Sequence, residues 1–153
     1  MANIDYIMSL LSWNNSAVEQ KKGIDLAKDV KCINAFLQPG LPYGKDVWEN
    51  CAKILCERSD EELYPYLWDL LEWLQDLNWP GAFLIMERLI SYKGELLIVC
   101  YKKTIERALS YPKDEQEWFD NLTKLIENKT IAEKLRGDNL YLTISERYKS
   151  LWC

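Results

Sequence analysis

The 153-residue sequence has no histidine, and its six glycines stand apart from one another. Without histidine there is no Ser-His-Asp or Cys-His nucleophile system, no imidazole metal ligand and no general base of the commonest kind near neutral pH. Without clustered glycines there is no G-x-G-x-x-G, P-loop or EF-hand pattern, so no nucleotide cofactor is expected. Long apolar runs are missing too: the longest is "LLIVCY" at Leu96–Tyr101, against the roughly twenty residues of a membrane helix. The N-terminal "MANIDYIMSLLSW" lacks a basic n-region and a small-residue cleavage site, from which a cytosolic protein is expected. The five cysteines, Cys32, Cys51, Cys56, Cys100 and Cys153, are odd in number and form no C-x-x-C pair. Neither a disulfide framework nor a zinc site is suggested, and the expectation is buried, reduced thiols. Asn-x-Ser/Thr sequons at Asn14, Asn121 and Asn128 carry meaning only in a secreted protein.

What is present is an ordinary folding composition, 48% hydrophobic and 28% charged, which argues against disorder. No Pro/Gly/Ser-rich linker divides the chain, so residues 1–153 are read as one domain. The net charge of −5 opposes binding to phosphate backbones and anionic lipid and favours a basic partner.

Apolar residues recur at helical spacing and nowhere alternate as in a half-buried strand, so the fold class is all-α. Ile4, Ile7, Met8 and Leu11 mark one face of a first helix, interrupted by Trp13–Asn15. Ser16 and Glu19 form an S-x-x-E capping box before a helix over 17–29, and Ser59 and Glu62 repeat it. A short apolar piece, Cys32–Leu37, precedes the turn-rich "PGLPYG" of Pro39–Gly44. Val47, Trp48, Cys51, Ile54 and Leu55 stripe the next helix, which runs to about Arg58. Pro65 suits a first turn, with Leu67, Leu70, Leu71 and Leu74 on the buried side of that helix. After "DLNWP", Phe83, Met86, Leu89 and Ile90 share a face, and Gly94 is expected to cap that helix. A helix over 95–110 follows, then one capped by Asp114 that carries Trp118, Leu122, Leu125 and Ile126. The last two, over 130–136 and 140–152, are separated by "GDN" at Gly137–Asn139. The expected architecture is about eight to ten short helices in stacked antiparallel hairpins, because the connections are short.

"SLLSW" (Ser9–Trp13) and "DLLEW" (Asp69–Trp73) both end a helix before a polar turn, an internal echo of the kind repeat folds carry. The segment Pro65–Leu89, "PYLWDLLEWLQDLNWPGAFLIMERL", resembles a HEAT-like helical hairpin, and its W-L-Q-D-x-N-W-P core is similar to that of DUF5071, a bacterial family of unknown function. Asn14–Ala27 is similar to the second helix of a degenerate HEAT repeat. The resemblance implies a short α-solenoid and no reaction. HEAT repeats commonly place a basic residue six positions after the turn Asp, and here that position is Ala82 after Asp76. The usual Asp ladder between repeats is therefore in question.

Three candidate surfaces carry chemistry. Asp69, Glu72 and Asp76 fall at i, i+3 and i+7 and are expected to line one acidic helix face, as a carboxylate or metal cluster or simply as a solvated side. Trp68, Trp73 and Trp79 are candidates for an aromatic binding surface, against the alternative of core packing. "WLQDLNWPGA" (Trp73–Ala82) reads as a helix corner, with Asn78 or Trp79 as N-cap, the Asn78 side chain reaching the Gly81 amide, and Pro80 fixing the opening dihedral. A HEAT-like alkylpurine glycosylase needs a basic DNA track, whereas the only paired lysines are Lys21–Lys22 and Lys102–Lys103.

The function expected is a non-catalytic, protein-binding module with no cofactor and no metal, in particular a bacterial immunity protein that neutralises a basic toxin. Its partner surface is expected to include Trp68, Asp69, Glu72, Trp73, Asp76 and Trp79. The alternatives are a carboxylate-based enzyme using Asp69, Glu72 and Asp76, and a scaffold or homo-oligomer.

Overall fold

The structure, a computed structural model, describes residues 3–40 and 42–153. Among these residues the chain is all-α, with helices joined by short 3-10 turns and no strand. Helices α1 (Ile4–Leu11) and α2 (Ala17–Ala27) fold back on each other, and a 3-10 turn at Ile33–Phe36 follows. The loop expected at Pro39–Gly44 is entered through a cis Gln38–Pro39 peptide, and Leu41 lies outside the described residues. A 3-10 turn at Lys45–Val47 leads into α3 (Trp48–Cys56), which is followed by the single turn α4 (Asp60–Leu63). Pro65 sits in the 3-10 turn Tyr64–Tyr66 that opens α5 (Leu67–Trp73). Then come α6 (Ala82–Ile90), α7 (Leu96–Leu109), α8 (Glu117–Leu122), a 3-10 turn at Thr123–Glu127, α9 (Lys129–Leu135) and α10 (Asn139–Trp152). Helix α3 packs against α2 and α6, and α5 against α7. Buried residues from Ile7 to Ile144 form one cluster. No helix of the described residues is long and apolar enough to cross a membrane.

Helix starts are set locally. Asn3, Ser16, Ser59, Asn128 and Asp138 each accept a hydrogen bond from an amide of the first turn. Only Ser59–Glu62 forms the reciprocal capping box. At Ser16 the Glu19 carboxylate accepts from the Ser16 hydroxyl at 3.2 Å rather than from its amide, so that box is half made. Asp114 does not cap α8: it lies inside the 3-10 turn Lys113–Glu115, and the residue before α8 is Gln116.

Helix ends are set from elsewhere in the chain. The last carbonyls of α1 accept from the side-chain amides of Asn15 (Ser9, 2.7 Å; Leu10, 3.1 Å) and Asn50 (Leu11, 2.7 Å). The Arg58 guanidinium donates to Ala27, the last residue of α2, at 2.7 Å. The carbonyl of Arg58, just past α3, accepts in turn from Arg88 at 2.8 Å. Asn121 donates to Leu74 after α5 at 2.9 Å, and Asn128 to both Leu89 and Tyr92 after α6 at 2.8 Å. Gln116 closes α7 through Leu109 and Tyr111. Each of these groups satisfies a carbonyl that has no intrahelical donor. Since the ends of α2, α3 and α6 are tied through Arg58 and Arg88, these three helices finish at the same edge of the molecule.

Gly94, expected as the cap of α6, is not one. The helix ends at Ile90 with Ser91, and a Cβ at Gly94 would come within 2.7 Å of the Tyr92 ring, so the glycine makes room for Tyr92. The thiols also divide: Cys51 and Cys100 are buried and Cys56 half-buried as expected of core residues, but Cys32 and Cys153 are exposed. The sequons at Asn121 and Asn128 are buried with their amides engaged, so neither is open to modification in the folded chain.

Asn128 carries the heaviest load, because its amide donates twice and its Oδ1 caps Ile131 of α9 at 3.1 Å. Asn128→Ala strips a helix N-cap and leaves the Tyr92 carbonyl without a donor, while Leu89 keeps the Tyr92 amide at 3.2 Å, which costs about 2 kcal/mol. Urea unfolding of the variant checks this against exposed Asn14→Ala, expected within about 0.5 kcal/mol of the parent protein. A loss below about 1 kcal/mol for Asn128→Ala would mean that water replaces the side chain.

Candidate functional site

The corner between α5 and α6 is built from two stacked turns. Asp76 Oδ1 accepts from the Asn78 amide at 2.8 Å, the Trp79 amide donates to the Asp76 carbonyl and the Ala82 amide donates to the Trp79 carbonyl, both at 3.1 Å. The residue that opens α6 is therefore Gly81, at φ +84°, and not Asn78 or Trp79, and no side chain caps it. Asn78 does not reach the Gly81 amide, because Asp76 already shapes the turn and Pro80 stands before the helix rather than in it. A Cβ on Gly81 would meet Ala52 Cβ at 2.6 Å and the Trp48 carbonyl at 3.0 Å, so the glycine lets the corner press directly onto α3.

Three tryptophans run outward from this contact. Trp73 is fully buried and its indole donates to the Pro80 carbonyl at 3.1 Å. Trp48, also buried, meets Trp73 edge-on at 6.4 Å and Trp79 at 5.6 Å between ring centroids. Trp79 is half-buried and opens on a shallow cleft of about 400 Å³, which Glu49, Leu77, Asn78, Pro80 and Phe83 also line. Phe83 was expected inside, yet it is 56% exposed; Ala82, Ile85, Met86 and Leu89 fill the buried face of α6 instead. Glu49 on α3 lines that cleft, while Glu57 and Glu87 lie nearer Cys56 at the far ends of α3 and α6, where the Arg88 charge opposes theirs.

The six residues singled out from the sequence do not share one surface. Trp68, 45% exposed, Asp69 and Glu72 lie on the outer side of α5, where Glu72 pairs with Arg107 at 2.9 Å and Arg107 lies over the Trp118 ring at 5.2 Å. Partial desolvation raises the Asp69 carboxyl above its ordinary value, with the Glu72 charge adding to it. Because α5 ends at Trp73, Asp76 belongs to the turn and not to an acidic helix face. Trp73 belongs to the core. Asp76 and Trp79 remain at the corner, joined there by Phe83 and Glu49. Among the described residues no three His, Cys, Asp or Glu side chains are grouped to hold a metal ion. Burial pushes the Cys51 thiol up to about 12 and the Cys56 thiol up to about 11, so both are protonated and poorly nucleophilic near neutrality.

Comparison with known proteins gives one family. The model of DUF5071, a domain of unknown function, matches residues 44–145, a span from the turn before α3 into α10 that contains the whole corner. No curated protein and no solved structure matches the chain.

Two predictions follow from this geometry. Gly81→Ala forces a side chain into both the left-handed region and Ala52, costing about 3 kcal/mol, whereas Gly137→Ala, at φ +89° with open space around it, costs about 1 kcal/mol. Thermal and urea unfolding of the pair isolates the close approach, and equal losses would refute it. In the native protein at mildly alkaline pH, iodoacetamide with mass spectrometry should label Cys32 and Cys153 and spare Cys51 and Cys56.

Proposed function

The chain belongs to the DUF5071 family, whose function is unknown, and we propose from its surface that it is a non-catalytic module that binds a basic protein. The observation that carries this reading is the corner itself. An exposed Phe83 and a half-buried Trp79 flank a cleft that Glu49 also lines, with exposed Glu87 one turn beyond Phe83 on α6. Aromatic anchors within a charged surround are the composition of interface hot spots, and the net charge of −5 accelerates encounter with a cationic partner. The alignment of the α2, α3 and α6 ends supports a short HEAT-like α-solenoid, an architecture whose stacked helices offer extended recognition faces. The specific role proposed is a cytosolic bacterial immunity protein that neutralises a basic toxin such as a nuclease.

Co-expression with the product of the adjacent gene tests this reading. A basic neighbour should co-purify at low salt, and calorimetry should find affinity falling as salt rises. Phe83→Ala removes an exposed ring and spares the fold, so it should weaken binding by about thirtyfold, or ~2 kcal/mol. Glu87→Lys should slow association. A basic neighbour that fails to associate, or one whose affinity ignores Phe83, would overturn the proposal.

A further inference from the structure

Helix α10 is thinly buried for its length. Of its 14 residues only Ile144 is buried, while ionic and aromatic contacts at three points join it to α7, α8 and the Thr123–Glu127 turn. At its N-terminus Asp138 pairs with Lys102 of α7 at 2.6 Å. Near its C-terminal end Arg147 makes a two-pronged bridge to Asp120 of α8, Nε to Oδ1 at 2.8 Å and Nη2 to Oδ2 at 2.9 Å. In the last turn the Lys124 ammonium lies 4.9 Å from the Trp152 ring centroid and 5.9 Å from that of Tyr148, and it pairs with Glu127, which also accepts from the Tyr148 hydroxyl at 2.7 Å. Arg147, Tyr148 and Trp152 lie beyond the residues matched by the family.

We propose that α10 is an electrostatically fastened strap, closed over α8 and the Thr123–Glu127 turn by these ionic contacts, and released by high ionic strength or by loss of one cation while the rest of the chain stays folded. One buried isoleucine, with Leu140, Tyr141, Tyr148 and Trp152 only half-buried, is a thin apolar contact for fourteen residues. The Arg147 and Asp120 side chains are 47% and 26% exposed, and the Asp138 and Lys102 side chains 28% and 39% exposed, so salt reaches both bridges. Arg147 and Asp120 line an open crevice of about 290 Å³ beside Phe119, and release widens it towards that ring, now only 4% exposed. The strap thus governs access to an apolar side chain on a surface remote in sequence from the corner, and it does not depend on the partner proposed above.

Hydrogen exchange of the whole chain, read by mass spectrometry at about 0.05 M and about 1 M NaCl, tests it. Amides of the C-terminal half of α10 should exchange roughly tenfold faster at high salt, with those of α3 and α6 unchanged. At low salt Arg147→Ala and Lys124→Gln should each bring α10 close to its high-salt rate, and Arg147→Lys should restore part of the protection. Protection of α10 that ignores salt, or a rise shared equally by α3 and α6, would overturn the proposal. If either variant fails to fold, the salt series on the unmodified chain decides alone.

Discussion

The fold depends on how its helices stop. A helix leaves its last carbonyls without partners, and the usual remedy is a left-handed glycine after the final turn. This chain has six glycines, and among the described residues only Gly81 and Gly137 take positive φ, the first at the start of a helix. Side-chain amides and guanidinium groups from elsewhere do the work instead. Asn50 closes α1, Arg58 closes α2, Arg88 reaches the end of α3, Asn121 closes α5 and Asn128 closes α6. All five of these donors lie thirty or more residues along the chain from the carbonyl they satisfy, so each such bond forms only when the neighbouring helix is docked. Local backbone amides close the same ends, and the side chains tie them to the rest of the fold. The Asp60–Arg88 pair at 2.7 Å belongs to the same system, since it aims the guanidinium that also bonds the Arg58 carbonyl.

This division explains what was legible in the sequence. Helix starts were, because an N-cap acts within three residues: Ser16 and Ser59 cap where the pattern places them. The buried leucines of α5 were legible as well, since a 3.6-residue period records burial directly. Helix ends were not. A search for glycine leads to Gly94, whose role is to accommodate the Tyr92 ring, while α6 closes through the Ser91 amide and is tied by Asn128, which a linear reading has no means of connecting to Leu89. Asp76 bonds the Asn78 amide of its own turn, and Asn121 joins α5 to α8.

The candidate surface was half legible for the same reason. Tryptophan density drew attention to the right ten residues, but composition does not say which rings face outward. Trp73 and Trp79 are only six positions apart, yet one is sealed against Pro80 and the other lies at the cleft. Phe83 was misplaced because it follows Ala82, a small residue that pattern reading passes over although it sits against the core. Counting from Ala82 sets the phase of α6 correctly, with Ile85, Met86 and Leu89 inside and Phe83 turned out by about one residue's rotation.

Rigidity is the property that links the corner to the recognition proposed for it. A surface aromatic contributes most when its orientation is fixed before the partner arrives, because ordering a mobile side chain subtracts from affinity. Trp79 is held edge-on by Trp48, Trp48 by Trp73, and Trp73 by the Pro80 carbonyl, so the ring at the surface is braced through the core to the turn that carries it. Gly81 then locks that turn onto α3 with no space for a methyl group. The opposite regime holds at α10, where apolar burial is thin and the ion pairs are exposed to salt. Under the two proposals one chain presents both a preorganised edge, suited to selecting a partner by shape, and a lightly seated terminal helix, suited to responding to ionic conditions. The difference follows from how much apolar area lies beneath each.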